Sequence, residues 1–121
     1  MAIKTYRDLE VSQKAMDLVE FAYRLTETLP TGERYGLTSQ IQRAAVSIQA
    51  NIAEGHGRIH RKEYLHHLSI ARGSLMELET HLTLAVRLTL LARQDVLPAW
   101  DLAQQVGKLL NGLIAALRRK A

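Results

Sequence analysis

The sequence predicts an all-α protein, an up-down-up-down antiparallel four-helix bundle. Three observations carry this expectation. Four long stretches place apolar residues alternately three and four apart, the spacing that keeps them on one face of a helix. The 121 residues include only two prolines and seven glycines, and little of the alternation that marks strands. The connections between the four stretches are short, so each helix must turn back on its predecessor. A chain of this length predicts one domain over residues 1–121.

The first helix is predicted over about residues 8–29, with Val11, Ala15, Leu18, Ala22, Leu25 and Leu29 as its stripe. Thr5, Tyr6, Arg7 and Asp8 resemble a capping box at its start. Pro30 disfavours helical geometry in the residue before it and sets the end. The second helix is predicted over about 36–54 on Leu37, Ile41, Ala45, Ile48 and Ile52, with Gly55 and Gly57 as its stop. The third spans about 61–92, with Leu68, Ala71, Leu75, Leu78, Leu82 and Ala85 facing inward. The fourth spans about 95–119, with Asp95 as N-cap and Pro98 in the first turn. Its stripe is Ala99, Ala103, Val106, Leu110, Leu113 and Leu117.

A lone bundle is polar on its outer surface, and this one carries a second apolar face. Leu9, Met16, Val19 and Tyr23 lie opposite the first stripe. Val46, Ala50 and Ala53 do so on the second helix, and Ile70, Leu84, Leu88 and Leu91 on the third, with Gly73 on that side. Three helices with two apolar faces predict self-association, so the first expected partner is a second copy of the chain.

Catalytic chemistry finds little support. A di-iron bundle needs Glu-x-x-His on two helices and Glu on the other two. Glu63 and His66 meet that spacing once, and the fourth helix holds neither Glu nor His. His56 and His60 are four apart, but Gly55 and Gly57 are expected to break the helix that would align them, while His66 and His67 are adjacent and diverge. Zero cysteines exclude disulfides, thiolate metal sites and thiol nucleophiles. No phosphate loop or dinucleotide fingerprint is present. No enzyme activity, metal or cofactor is therefore expected. Asn51, at the edge of the core stripe, is one turn after Ser47 and predicts a hydrogen bond to it. Glu54 opposes the dipole at a helix C-terminus and predicts a cationic partner, Arg58 or Arg61. The alternative reading is an enzyme whose site forms between subunits around Asn51, Glu54 and the nearby histidines.

The net charge is +4 and the isoelectric point about 9.7. The predicted topology gathers Lys4, Arg7, Arg58, Arg61, Lys62, Arg118, Arg119 and Lys120 at one end of the bundle. Asp8, Glu10, Glu54 and Glu63 offset part of that charge. Such an end predicts non-specific contact with the phosphates of RNA or DNA. The N-terminus has no apolar run, no stretch spans a bilayer, and cysteine is absent; together these predict a cytoplasmic protein that needs no membrane.

Ordered blocks of the chain resemble the four-helix bundle proteins encoded in the intervening sequences of bacterial 23S ribosomal RNA genes. The first joins Glu33, Tyr35, Gly36, Leu37, Gln40 and Ile41. The second is Arg43-Ala44-Ala45-Val46-Ser47-Ile48, followed by Asn51-Ile52-Ala53-Glu54-Gly55. The last joins Ala71, Gly73, Ser74, Leu75, Glu77 and Leu78. Within these blocks Ser47, Asn51, Glu54, Gly55, Gly73 and Ser74 are the motif residues. The resemblance implies a homopentameric ring of bundles. A related branch serves diversity-generating retroelements, where it binds nucleic acid and a reverse transcriptase, and a reverse transcriptase is thus an implied partner. Gln49 departs from the family pattern, standing where many relatives have proline. His60 departs from it too, standing where a capping serine is usual.

Overall fold

A computed structural model describes Tyr6 and residues 9–119. These form four α-helices and, among the described residues, no strand: α1 Glu10–Thr26, α2 Leu37–His56, α3 Arg61–Arg87 and α4 Arg93–Arg119. A single 3-10 turn, Thr31–Glu33, precedes α2. The backbones of α1 and α2, α2 and α3, α3 and α4, and α4 and α1 approach closely, and among the described residues those of α1 and α3, or of α2 and α4, do not. The four helices therefore stand at the corners of a square around one apolar core.

The stripes read from the sequence are the core. Leu18, Ile41, Ile48, Ile52, Leu68, Leu78, Leu82, Val106 and Leu110 are the largest fully buried side chains. Each contributes about 1.5–3 kcal/mol by leaving water. Alanines fill the intervening positions of α1, α2 and α4 and let the helices approach closely. On α4 the inward residue near the end is Ile114; Leu113 and Leu117 are half-buried and pack against the edge of the core.

Helix ends differ from the sequence reading for identifiable reasons. The helix α1 stops at Thr26, three residues early. Its Thr26 and Thr28 hydroxyls donate to the carbonyls of Tyr23 and Leu25. The N–H groups of Thr28 and Leu29 switch to partners three residues back, so the chain tightens before Pro30. Leu29 remains buried from the turn. Asp8, the expected first residue of this helix, and the proposed capping box, apart from Tyr6, lie outside the described residues. The helix α2 is not stopped by Gly55, which is buried inside it. Its C-cap is Gly57, in right-handed rather than left-handed geometry. At its start the Leu37 N–H donates to the Glu33 carboxylate, which does the work of the missing side-chain cap at Gly36.

The helix α3 ends at Arg87, not near 92. Thr89 turns the chain with a φ of 59°. Its N–H donates to the Val86 carbonyl and that of Leu90 to the Ala85 carbonyl, the pair of bonds that defines a Schellman close. A threonine occupies the position usually given to glycine, and periodicity alone gave no sign of it. The helix α4 begins at Arg93, so Asp95 lies inside its first turn rather than at the cap. Pro98 falls in the second turn, where it removes one backbone hydrogen bond. No described helix is long and apolar enough to cross a membrane.

Candidate functional site

The seam between α2 and α3 holds a chain of polar side chains running alongside the core. On α2, residues 47, 51 and 55 recur one turn apart and share the face turned to α3. The Ser47 and Ser74 hydroxyl oxygens are 2.7 Å apart. The Asn51 side-chain amide nitrogen donates to the Ser47 carbonyl at 2.9 Å and to its hydroxyl at 3.2 Å. The Asn51 Oδ1 lies 3.0 Å from His67 Nδ1. One turn on, Gly55 lets the helices touch: a Cβ there would lie 2.9 Å from His67 Cβ and 3.1 Å from Tyr64 Cδ1. His56 Nδ1 sits 3.1 Å from the Tyr64 hydroxyl, with the two rings edge to face. Burial raises the pKa of the Tyr64 phenol above its usual value.

The motif residues therefore divide. Ser47, Asn51, Gly55 and Ser74 build the seam. Glu54 points outward and pairs with Arg58 at 2.8 Å, the first of the two partners expected for it. Gly73 is exposed, and a Cβ there would meet nothing within 4 Å. Sequence reasoning did not identify His67 or Tyr64 as seam residues. It also missed a second polar contact, where buried Gln49 on α2 donates to the Ser12 hydroxyl on α1 at 3.0 Å. The signal for it was present: Gln49 is four residues after Ala45 and three before Ile52, inside the apolar stripe.

The ingredients of the enzyme alternative do not converge. Asn51 meets His67, but Glu54 is turned to Arg58, His56 to Tyr64, and His60 and His66 are exposed. No serine among the described residues hydrogen-bonds a histidine, the contact a nucleophile would need. No three His, Asp or Glu side chains among the described residues are grouped to hold a metal ion.

At the α2–α3 turn an open groove is lined by Arg58, Lys62, Glu63, His66 and His67. Arg58, Arg61 and Lys62 are exposed there, and Arg118 and Arg119 are exposed in the last turn of α4. The remaining expected phosphate-binding residues, Lys4, Arg7 and Lys120, lie outside the described residues.

Exposed apolar residues gather on two edges of the square. The α1/α2 edge presents Met16, Tyr23 and Val46, with Tyr35 and Arg43 beside Val46. The α3/α4 edge presents Met76, Leu84, Leu88 and Leu97 around the half-buried Trp100. Ala50 and Ile70 are also exposed. Leu91, expected on the outer face, is only 6% exposed and belongs to the core, because the chain has already turned at Thr89 and folds it inward. Leu9 packs on the edge of the core and Ala53 is half-buried, so neither is a free apolar surface.

The model of a family described as 23S rRNA-intervening sequence protein matches residues 7–112. A similar crystal structure is that of a protein of unknown function from the S23 ribosomal protein family of Bacteroides thetaiotaomicron. The two chains are 26% identical, with a TM-score of 0.79, and the match covers 86% of this chain and 97% of that one. No curated protein matches the chain.

Proposed function

The chain belongs to the 23S rRNA-intervening sequence protein family, and from that premise we propose a non-enzymatic assembly protein. Its helices run up-down-up-down, its bundles join edge to edge into a homopentameric ring, and its basic end contacts nucleic-acid phosphates in the cytoplasm. The antiparallel course of the first three helices is supported by the side-chain pairs across the α1/α2 and α2/α3 seams, and the short turn between α3 and α4 supports the fourth. Residue 12 meets 49 and 26 meets 42; residue 47 meets 74, 51 meets 67 and 56 meets 64. Each series closes toward its turn, as it does in an antiparallel hairpin. That topology brings Arg118 and Arg119 to the same pole as Arg58, Arg61 and Lys62.

The observation that carries the assembly reading is the placement of exposed apolar side chains on two opposite, chemically different edges. A two-fold dimer would reuse one patch on both subunits. A ring needs two different patches that fit each other. The α1/α2 edge offers apolar side chains flanked by Arg34 and Arg43, while the α3/α4 edge offers apolar side chains beside Glu79, Arg87 and Arg93. The number five is what the family resemblance implies.

Sedimentation equilibrium at micromolar concentration tests the assembly. A pentamer is expected, and Leu84→Glu or Leu88→Glu should lower its mass while keeping helix content. A wild-type monomer overturns the reading. An anisotropy titration against single-stranded nucleic acid at low salt tests the basic end. Affinity should fall steeply with added salt as counterions are released, and Arg61→Glu with Lys62→Glu should abolish it without dissociating the ring.

A further inference from the structure

We propose that the groove at the α2–α3 turn recognises the backbone of RNA rather than DNA, with His67 Nε2 accepting a hydrogen bond from a ribose 2′-hydroxyl. This rests on the reading of the basic end as a nucleic-acid surface and specifies which nucleic acid it takes.

The Ser47 carbonyl only accepts hydrogen bonds, so the Asn51 side-chain atom 2.9 Å from it is the amide nitrogen. The other amide atom, Oδ1, also only accepts. The His67 Nδ1 that lies 3.0 Å from Oδ1 must therefore carry a proton. In the neutral ring this leaves Nε2 without a hydrogen and able to accept. His67 is half-buried, and no fully buried side-chain nitrogen or oxygen among the described residues lacks a partner, so an Nε2 without a protein partner keeps some contact with solvent. His67 lines the groove, and Nε2 is the ring nitrogen not bonded to Asn51 of α2.

The groove is not a plain anion site. It sets the donors Arg58 and Lys62 beside two acceptors, His67 Nε2 and the Glu63 carboxylate, with His66 alongside. A bare phosphate satisfies the donors and meets the acceptors with like charge or lone pairs. A ribonucleotide backbone carries a phosphate and a hydroxyl donor within one repeat, and so satisfies both sets. DNA lacks that hydroxyl. Arg58 keeps donors for a phosphate while bonded to Glu54, because a guanidinium has five N–H groups.

The test is fluorescence anisotropy of the whole protein at low salt with three labelled strands of one length: oligouridylate, its 2′-O-methyl form and oligodeoxyuridylate. The 2′-O-methyl strand keeps the sugar oxygen and replaces its donated hydrogen with a methyl group. RNA should bind about three- to tenfold more tightly than either of the others, the effect of one net hydrogen bond. In His67→Phe that ratio should fall to about one while salt-dependent binding persists. The strand series needs no variant, so the proposal stands or falls even if His67→Phe does not fold. Equal wild-type affinity for all three overturns the proposal and leaves the basic end a nucleic-acid surface. An RNA preference that survives in folded His67→Phe also overturns it. Binding to none of the three overturns both readings.

Discussion

Gly55 of α2 and His67 of α3 set how closely their helices approach: a methyl group on the glycine would stand 2.9 Å from the His67 Cβ. The tyrosine carbonyl one turn away, at Tyr64, is 3.3 Å from the same point, so relief requires movement of α3 backbone and not only of a side-chain tip. Gly73, one helix over, has open space in place of that contact.

This pair makes a matched experiment. Gly55→Ala should destabilise the fold by about 1–3 kcal/mol through overpacking, despite alanine's better helix propensity. Gly73→Ala should stabilise it by up to about 1 kcal/mol, since only propensity changes. Urea melts of both variants read the difference. Equal effects would mean that the seam yields freely at Gly55.

The buried contact between Ser12 and Gln49 predicts a non-additive series. Ser12→Ala leaves the Gln49 amide in the core with a partner missing and should cost about 1–3 kcal/mol. Adding Gln49→Leu should recover much of that loss, because both polar groups are then gone. A double variant as unstable as the sum of the two single changes would show that packing, not the hydrogen bond, dominates there.

Thr89 holds a left-handed conformation that costs an L-residue roughly 1–2 kcal/mol. Thr89→Gly removes that strain and adds about 0.5–1 kcal/mol of unfolded-chain entropy. A net gain of about 0.5–1 kcal/mol is expected, with the Schellman bonds kept. Loss of stability would mean that the threonine side chain contributes more than its strained backbone costs.

Burial raises the Tyr64 pKa, and this fixes a sign. The folded state holds the phenolic proton more firmly than the unfolded chain does. The resulting stability is complete below the unfolded tyrosine value, about 10, and is lost as pH rises through the higher folded value. Tyr64→Phe should therefore lose less stability between pH 9 and 12 than the parent, while starting lower at pH 7 for want of the His56 contact. Melts across that range decide it; identical slopes would show that Tyr64 does not govern the alkaline limb.

The fold was legible because periodicity reports burial directly. Leu18, Ile48, Leu78 and Leu110 follow the helical repeat, and that repeat puts them inside. Helix ends were harder, since they depend on single hydrogen bonds. The Glu33 carboxylate at the start of α2 and the threonine close of α3 leave no periodic trace. The seam was half legible. Asn51 and Ser47 share a face by spacing alone, whereas the meeting with Ser74 and His67 depends on the register between α2 and α3. Gly55 was misread because a glycine near a helix end signals both termination and close approach, and only the neighbouring helix decides between them.

In the ring proposed above, the unlike edges of the square also bear on what happens when good and damaged copies mix. A subunit ruined on α3/α4 keeps an intact α1/α2 edge and can still dock onto a growing assembly, but nothing can dock onto it in turn. It becomes a terminator, and one such copy per ring prevents closure. Damage to one edge should therefore be dominant in a cell that also makes the intact chain. Two chains damaged on opposite edges, each unable to assemble alone, should join through their surviving edges and stop at a pair.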